Sequence, residues 1–531
     1  MNKEPNTIAN EKASADSLKS RKILPGCVLA LIMLVLSFWI YTRHNQFAFF
    51  YHSDESAKVE QVITRQYNFH HPMLLLSTTE LLYGEAGDVK SPTEQQRVVE
   101  TGRLVSAIFT AIAVEALTLL AFLRAGWLAA IATGLLLTFN QQLFELAHYM
   151  KEDPALLLGV ALSFLTLALY EKKRIWGAAL CCGLACGVAV SGKYMGAMMF
   201  GCVLPVFIFG GALTPGRRAL HISLLLLGAL LVFALVNLPL LRDLETFRAS
   251  FSREMDLVAH GSKDMARSVP HTVYLSIFRQ NTTPAIWLLL GVFYFQFWKT
   301  RRTQSAASWA LALFPIVLTL VFSFSPKTND RYYLPVTAVI YYLSALGLVD
   351  LVKTILPHWK SELEMRWKQT GAAVILVALL CEAPKFYDVF HAFQHDDRHE
   401  LAGFIQEKLP PGARIAQDER VMLPDERNRK RGRIVLDLKQ KVISGKTYAA
   451  NLGTLDALRA KGYTHVAVSH SNYGRFFLDS LDVKDEKREE VERQRAFYEQ
   501  LFAEGELLFE RERGTVIYLH PGLRLYSILQ R

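Results

Sequence analysis

The sequence predicts a polytopic α-helical membrane protein with a C-terminal soluble α/β domain. Of its 531 residues, 51% are hydrophobic and only 20% are charged, which is more apolar than a soluble protein of this length normally is. The apolar residues gather in runs of about 20, the length that a helix needs to cross the hydrocarbon core of a bilayer. After about residue 386 these runs stop, and short helical and extended patterns alternate.

The membrane domain, residues 23–385, is predicted to contain about eleven spans. Arg21 and Lys22 precede the first span, and no small-residue cleavage site follows it, so we expect an uncleaved anchor. The polar residues 1–22 are predicted to form a disordered cytoplasmic tail. The predicted spans are 23–41, 102–124, 126–144, 154–170, 175–191, 195–213, 219–241, 284–298, 305–324, 332–352 and 371–385.

Positive charges between the spans predict the orientation of the chain. Lys172–Arg174, Arg217–Arg218 and Lys299–Arg302 all become cytoplasmic if the N-terminus is inside, as the positive-inside rule requires. The odd number of spans then puts the C-terminus outside. The same distribution accounts for the net charge of +10 without a nucleic-acid partner. The six cysteines lie in or beside apolar runs and imply no disulfide framework, which is compatible with a bacterial inner membrane.

Three segments are predicted on the outer side: the loop 42–101, the loop 242–283 and a domain at 386–531. In that domain, strands alternating with helices favour a small α/β fold. The predicted helices are His399–Lys408, Thr454–Lys461 and Val483–Glu504, and the predicted strands are "ARIAQD", "HVAVSH", "GELLFER" and "TVIYLH".

An acidic pair, Asp54-Glu55, follows the first span closely. Apolar residues recur at helical spacing from Val59 onwards, which predicts an amphipathic helix on the outer membrane surface. One interpretation is that Ser53 caps this helix and that the two acids favour its N-terminal dipole. The other is a carboxylate at the membrane boundary that takes a proton from an acceptor hydroxyl.

Two further motifs lie on outer turns. His71 belongs to "FHHPML", where a loop kink is favoured over a metal site because two histidines alone are weak evidence for a metal. Glu152 and Asp153 precede Pro154, and the Asp-Pro order is typical of a helix N-cap followed by its first position. Capping needs only one acid, so the pair also predicts a second carboxylate cluster on the same face as Asp54.

Positive residues on short outer turns run against the insertion rule. Lys193 lies in "GVAVSGKYMGAMMF", while Lys327, Asp330 and Arg331 lie in "SPKTNDRYYLPV". A phosphate held near the outer leaflet explains these cations, because Lys and Arg bind phosphate by charge-assisted hydrogen bonds. Snorkelling of long side chains to the interface explains them equally well.

In this order, the motifs resemble those of the GT-C glycosyltransferases in the superfamily of protein O-mannosyltransferases and aminoarabinose transferases. The motifs that carry the resemblance are Asp54-Glu55, His71-Pro72, Glu152-Asp153-Pro154, "GLACGVAVSGKY" and "RYYLPV". The resemblance covers nearly the whole chain and includes the C-terminal outer domain of bacterial members. One segment departs from the pattern: "HHPMLL" stands where aminoarabinose transferases have Lys-Pro-Pro-Leu, which puts a lipid A acceptor and an aminoarabinose donor in doubt.

The resemblance implies a GT-C fold and an activity. The enzyme would move a sugar from a polyprenyl phosphate to a hydroxyl of a protein, glycan or lipid acceptor, by an inverting displacement at the outer membrane face. Asp54 would be the general base, with Glu55 in the same catalytic motif. The implied donor-phosphate contacts are Lys193 and Arg331, the second acidic motif is Glu152 and Asp153, and the implied substrate contacts are His71, Tyr194 and Tyr332.

No cofactor is expected to be required. A divalent cation held by the two acidic clusters, through Asp54 and Asp153, stays open, although related transferases with a monophosphate carrier often need none. A transporter or lipid flippase is the alternative function, and it would carry ionisable residues in mid-span. The spans between 102 and 240 are almost free of them, with Glu115 and Glu145 as the exceptions. A structural or assembly protein would need neither the acidic turns nor the outer cations.

Overall fold

The structure, a computed structural model, describes residues 24–45, 52, 54–85, 87–88, 91–211, 213–260, 272–325, 329–355, 364–423, 438, 440–478 and 483–529, without the side chains of 364–368. The predicted N-terminal tail, the predicted cap Ser53 and Lys327 lie outside these residues.

Helices form the part of the chain that precedes the C-terminal domain. Their bounds are α1 Leu24–Tyr41, α2 Glu55–Thr64, α3 Leu74–Tyr83, α4 Pro92–Ala125, α5 Trp127–Thr138, α6 Gln141–Ala147, α7 Asp153–Lys173, α8 Trp176–Gly192, α9 Met199–Phe209, α10 Pro215–Val236, α11 Leu238–Arg242, α12 Leu244–His260, α13 Val273–Asn281, α14 Pro284–Lys299, α15 Ala306–Ser323, α16 Leu334–Ile355 and α17 Glu364–Ala392. Two 3₁₀ turns, Tyr194–Met198 and Asp330–Tyr333, lead into α9 and α16.

Six helical segments of the described chain are long and apolar enough to cross a membrane. They are Leu24–Tyr41, Pro92–Ala125, Asp153–Lys173, Pro215–Val236, Ala306–Ser323 and Asp330–Ile355. Shorter apolar helices, including α5 and α8, pack between them. The polytopic helical fold is therefore confirmed, while the number of eleven spans stays a prediction.

Local sequence explains where several helices begin and end. Ser91 caps α4 by accepting from the backbone N–H of Glu94, and Pro92 takes the first helical position, where its missing N–H costs nothing. The predicted span 126–144 is instead two helices, because the Asn140 side chain accepts from the N–H groups of Gln142 and Leu143 at 3.0 Å and starts a new helix there.

Small residues let the central helices approach closely. A Cβ on Gly159 of α7 would lie 2.2 Å from the backbone of Ala189 in α8. A Cβ on Gly183 of α8 would lie 2.2 Å from the carbonyl oxygen of Leu225 in α10. Close backbone contact of this kind is how helices gain packing energy inside a bilayer, where lipid tails are as apolar as leucine.

The C-terminal domain is built on a five-stranded sheet in the order β2-β1-β3-β5-β4. β1 pairs in parallel with β2 and β3, whereas β5 is antiparallel to β3 and β4. The strands are β1 Arg414–Asp418, β2 Val442–Lys446, β3 His465–Ser469, β4 Glu506–Glu510 and β5 Leu523–Ser527, and the helices are α18 Asp397–Lys408, α19 Leu455–Ala460, α20 His470–Tyr473 and α21 Arg488–Glu504. The predicted α/β character of this domain is confirmed.

The segment "TVIYLH", predicted as a strand, is the turn between β4 and β5. Its apolar residues face the membrane domain instead of a sheet neighbour: Val516 and Leu519 are fully buried in the core of the helical bundle. His520 Nε2 lies 2.8 Å from the carbonyl oxygen of Ala392, at the end of α17. The short apolar run here therefore reflects docking between domains, which local sequence does not distinguish from strand pairing. Strands β2 and β5 were not predicted.

Candidate active site

Asp54 stands at the N-terminus of α2, where its side chain keeps 43% of its exposure. Lys151 Nζ forms an ion pair with its carboxylate, and Arg331 Nη1 lies 3.5 Å from the same Oδ2 atom. His52 Nδ1 is 3.8 Å away on a third side. The predicted base is thus a partly open carboxylate surrounded by basic side chains from three separate segments.

These neighbours set the protonation of the site. Burial raises the pKa of Asp54, but Lys151 and the other cations oppose it and hold that pKa far below the usual range. Burial, together with the charges of Lys58 and Arg331, lowers the pKa of Lys151 to about 7 against the attraction of Asp54. The pKa of His52 is also lowered, chiefly by burial, so its ring is neutral at pH 7.

Glu55 occupies a different environment from Asp54. Its side chain and that of Arg103 are both fully buried, and they form a two-pronged ion pair with N–O distances of 3.1 and 2.9 Å. The backbone N–H groups of Met150 and His52 also donate to this carboxylate, at 2.9 and 3.3 Å. The pair holds the start of α2 against α4 and against the turn before α7. Such surroundings favour a structural role for Glu55 over the predicted catalytic one.

The second acidic motif is fully paired with lysines. Glu152 Oε1 accepts from Lys58 Nζ at 2.8 Å, and His71 Nε2 lies 3.9 Å from its other oxygen. Asp153 Oδ1 accepts from Lys193 Nζ at 2.6 Å. The motif therefore joins α2, the first outer loop, α7 and the turn after α8 in one network of ion pairs.

The predicted N-cap at Asp153 is displaced by one residue. Glu152 is the N-cap of α7, Asp153 is the first helical residue, and Pro154 is the second. Neither acid makes a side-chain capping hydrogen bond, because both carboxylates are engaged by lysines. Tertiary ion pairing has replaced the local bonding that this order of residues usually indicates.

Arg331 and two tyrosines, Tyr332 and Tyr194, are the remaining predicted site residues. Arg331 Nη1 lies 3.0 Å from His52 Nε2, while its Nε is buried without a hydrogen-bond partner among the described residues. Lys193 Nζ lies 4.3 Å from the centroid of the Tyr332 ring, which places this tyrosine in the network as a cation–π partner. The Tyr194 hydroxyl instead donates to the carbonyl oxygen of Phe69 at 2.9 Å and so holds the first outer loop.

The ion-pair network, defined as Asp54, Glu152, Asp153, Lys58, Lys151, Lys193 and Arg331, has three carboxylates and four cations. His71 adds no charge, because burial lowers its pKa to about 4. Lys151 and Arg331 therefore share one carboxylate, that of Asp54. Within the described part of the chain, no three His, Cys, Asp or Glu side chains gather as a metal site would require. The arrangement is suited to an anion.

Sequence reasoning left several members of this site unassigned. Helix α2 was predicted to lie on the outer membrane surface, but its polar residue Lys58 is buried beside Glu152. The sequence does contain a signal for Arg103: an arginine inside the apolar run 102–124 needs an acidic partner. Tyr518, from the turn between β4 and β5, packs with its ring centroid 4.1 Å from that of His52, and no local pattern predicts this contact.

The fold is that of the GT-C membrane glycosyltransferases. ArnT from Cupriavidus metallidurans, in its complex with undecaprenyl phosphate, is similar with a TM-score of 0.50 and 15% identity, over 96% of this chain and 98% of that one. The oligosaccharyltransferase AglB from Archaeoglobus fulgidus, solved with an inhibitory peptide and a dolichol-phosphate, is similar with a TM-score of 0.51 and 10% identity, over 83% of this chain and 69% of that one.

Residues 27–253 match the family model of the dolichyl-phosphate-mannose-protein mannosyltransferases. This segment contains the acidic pair, the second acidic motif and Lys193. No curated protein is similar enough in sequence to match. Together, the family match and the shared fold confirm the predicted resemblance to the GT-C superfamily.

Proposed function

We propose that this chain is an inverting glycosyltransferase that moves a sugar from a polyprenyl phosphate to an acceptor hydroxyl. The N-terminus would be cytoplasmic, and the reaction would take place at the outer face of a bacterial inner membrane. The observation that carries the proposal is the ion-pair network, in which a partly exposed carboxylate lies between two cations that share it. A lipid-linked phosphate and a nucleophilic hydroxyl need those two features side by side.

The donor phosphate would bind at Lys193 and Arg331. Both lie at one end of the bundle. Lys193 directly precedes the 3₁₀ turn Tyr194–Met198, and Arg331 lies in the 3₁₀ turn Asp330–Tyr333. The buried Nε of Arg331 supplies a hydrogen-bond donor that the described residues leave unused. A phosphate oxygen is the type of acceptor that a guanidinium binds most strongly.

An apolar groove supports the binding of a polyprenyl chain. The groove runs between α9 and α15, has a volume of about 580 Å³ and is lined by Cys202, Val206, Phe209, Trp309, Leu313 and Val317 among others. α9 begins just after the turn that follows Lys193, and α15 ends shortly before the turn that carries Arg331. A lipid tail in this groove would therefore end at the proposed phosphate contacts.

The chemistry would be a single displacement. The acceptor oxygen forms a bond to the anomeric carbon, the bond from that carbon to the phosphate oxygen breaks, and its electron pair stays on the phosphate. The acceptor proton passes to Asp54, a role typically worth roughly 10²–10⁴-fold in rate. Lys193 and Arg331 stabilise the charge that develops on the leaving phosphate, so a separate acid for the leaving group is unnecessary.

The test is a transfer assay with purified full-length protein in nanodiscs. A panel of radiolabelled polyprenyl-phosphate sugars serves as donors and an envelope extract as acceptor, with wild type, Asp54→Asn and Glu60→Gln compared. Glu60 is an exposed acid on the same helix and is the matched control. We expect transfer by wild type and by Glu60→Gln, and a loss of at least about 100-fold in Asp54→Asn with donor binding retained.

Two results would count against this function. Equal transfer by Asp54→Asn and wild type would remove Asp54 from the chemistry. Absence of transfer from every donor, together with translocation of labelled lipid across vesicles, would favour the flippase alternative. A panel positive for one donor would also name the sugar class.

A further inference from the structure

The C-terminal domain reaches into the proposed active site through the turn between β4 and β5. The ring centroid of Tyr518 in this turn lies 4.1 Å from that of His52 and 5.9 Å from that of Tyr149. The charges of Asp54 and Arg331 both act on the Tyr518 hydroxyl. The tyrosine therefore packs on His52 at the edge of the ion-pair network.

Arg420 lies beside the same tyrosine. It lies in the 3₁₀ turn Glu419–Val421, directly after β1, and its Cζ is 5.3 Å from the centroid of the Tyr518 ring. The backbone N–H of Arg420 donates to Asn472 Oδ1 at 3.2 Å and fixes the turn. Its Nη1 is buried and makes no hydrogen bond to any described residue.

Tyr518 thus connects two guanidinium groups, because Arg420 lies over its ring and Arg331 contacts His52, which packs on it. Each guanidinium holds a buried N–H without an acceptor among the described residues. They come from different domains: Arg331 precedes α16, and Arg420 follows β1. A buried donor without a partner is unfavourable, and it is retained where a ligand supplies the acceptor. Asp330 lies near, but one of its oxygens already accepts from the backbone N–H of Arg331 at 2.7 Å.

We propose that Arg331 and Arg420 form a two-domain clamp for the donor phosphate, with Tyr518 as their shared neighbour. This inference rests on the proposed function and assigns the C-terminal domain a part in binding the donor. The phosphodiester of the donor has two non-bridging oxygens, so it can accept from one guanidinium group with each of them. A carboxylate or phosphate on the acceptor has the same chemistry, and the experiment separates the two sources.

The experiment measures binding of undecaprenyl phosphate to the full-length protein in nanodiscs, with undecaprenol as the neutral probe. Wild type, Arg331→Ala, Arg420→Ala, Arg420→Lys and Arg511→Ala are compared. Arg511 is the matched control, since it lies on the exposed surface of the same domain and pairs there with Glu400. We expect each alanine variant at the clamp to raise the Kd for undecaprenyl phosphate by about tenfold or more, because each removes a charge-assisted bond.

Arg420→Lys should lose part of that affinity, because an ammonium keeps the charge but not the planar fork. Binding of undecaprenol should be equal in all five proteins, and so should their thermal midpoints. Unchanged phosphate affinity in Arg420→Ala, with a clear loss in Arg331→Ala, would overturn the clamp and leave the proposed function intact. Loss confined to the KM for the acceptor would overturn it also, by moving Arg420 to the acceptor side. If wild type prefers neither probe, the proposed function itself fails.

Discussion

Replacing Glu55 with glutamine should lower the stability of the protein and leave the chemistry of transfer unchanged, although Glu55 stands next to the proposed base. The substitution keeps the side-chain volume but removes the charge that compensates Arg103, and both side chains are fully buried. Removing one partner of such a pair costs about 3–5 kcal/mol. With a typical unfolding entropy for a domain of this length, that loss corresponds to a fall of about 5 °C in the thermal midpoint.

The assay is thermal unfolding in detergent, paired with transfer measured well below the midpoint. Glu55→Gln should show the lowered midpoint and retain most of its transfer rate per folded molecule. Because the cost comes from an uncompensated arginine, the double variant Glu55→Gln/Arg103→Gln should recover most of the midpoint. The reasoning fails if Glu55→Gln melts like wild type and yet abolishes transfer, since Glu55 would then be catalytic.

Three further predictions follow from the site and its packing. Burial lowers the pKa of Lys151 to about 7, so its positive charge is complete below that pH and is lost as the pH rises through it. The transfer rate should therefore fall above about pH 7 in a pH–rate profile. In Lys151→Arg this fall should occur at higher pH. Asp54 stays ionised to far lower pH, so no acid limb from it should appear above about pH 4 in the same profile. Gly159→Leu should lower the thermal midpoint, because its Cβ would meet the backbone of Ala189 at 2.2 Å and overpacking costs about 1–3 kcal/mol.

The sequence predicts the local features of this site but not the pairing of residues that are far apart in the chain. The helical segments follow from apolar runs because that signal is local, although α4 begins at Pro92 and not at the start of the predicted span 102–124. The order of acidic and basic turns also predicts which residues gather at one end of the bundle. Which acid pairs with which cation does not follow, since Glu55 and Arg103 are separated by 48 positions and Asp54 and Arg331 by 277. Only the packed helices bring such partners together.

The cations around Asp54 also suggest how donor binding and proton transfer could be linked. Lys151 and Arg331 make the Asp54 carboxylate a weak base, because they hold its pKa far below the usual range. The phosphodiester of the proposed donor, which carries one negative charge, would compete for the same ammonium and guanidinium groups. If the proposed donor binds in this way, the two cations would turn to its phosphate and the pKa of Asp54 would rise towards its ordinary value. The carboxylate would then be a better base only when the donor is bound. Donor-free protein would then deprotonate acceptor hydroxyls poorly. Under the proposed function, Asp54 would therefore become an effective base only when a sugar donor is bound.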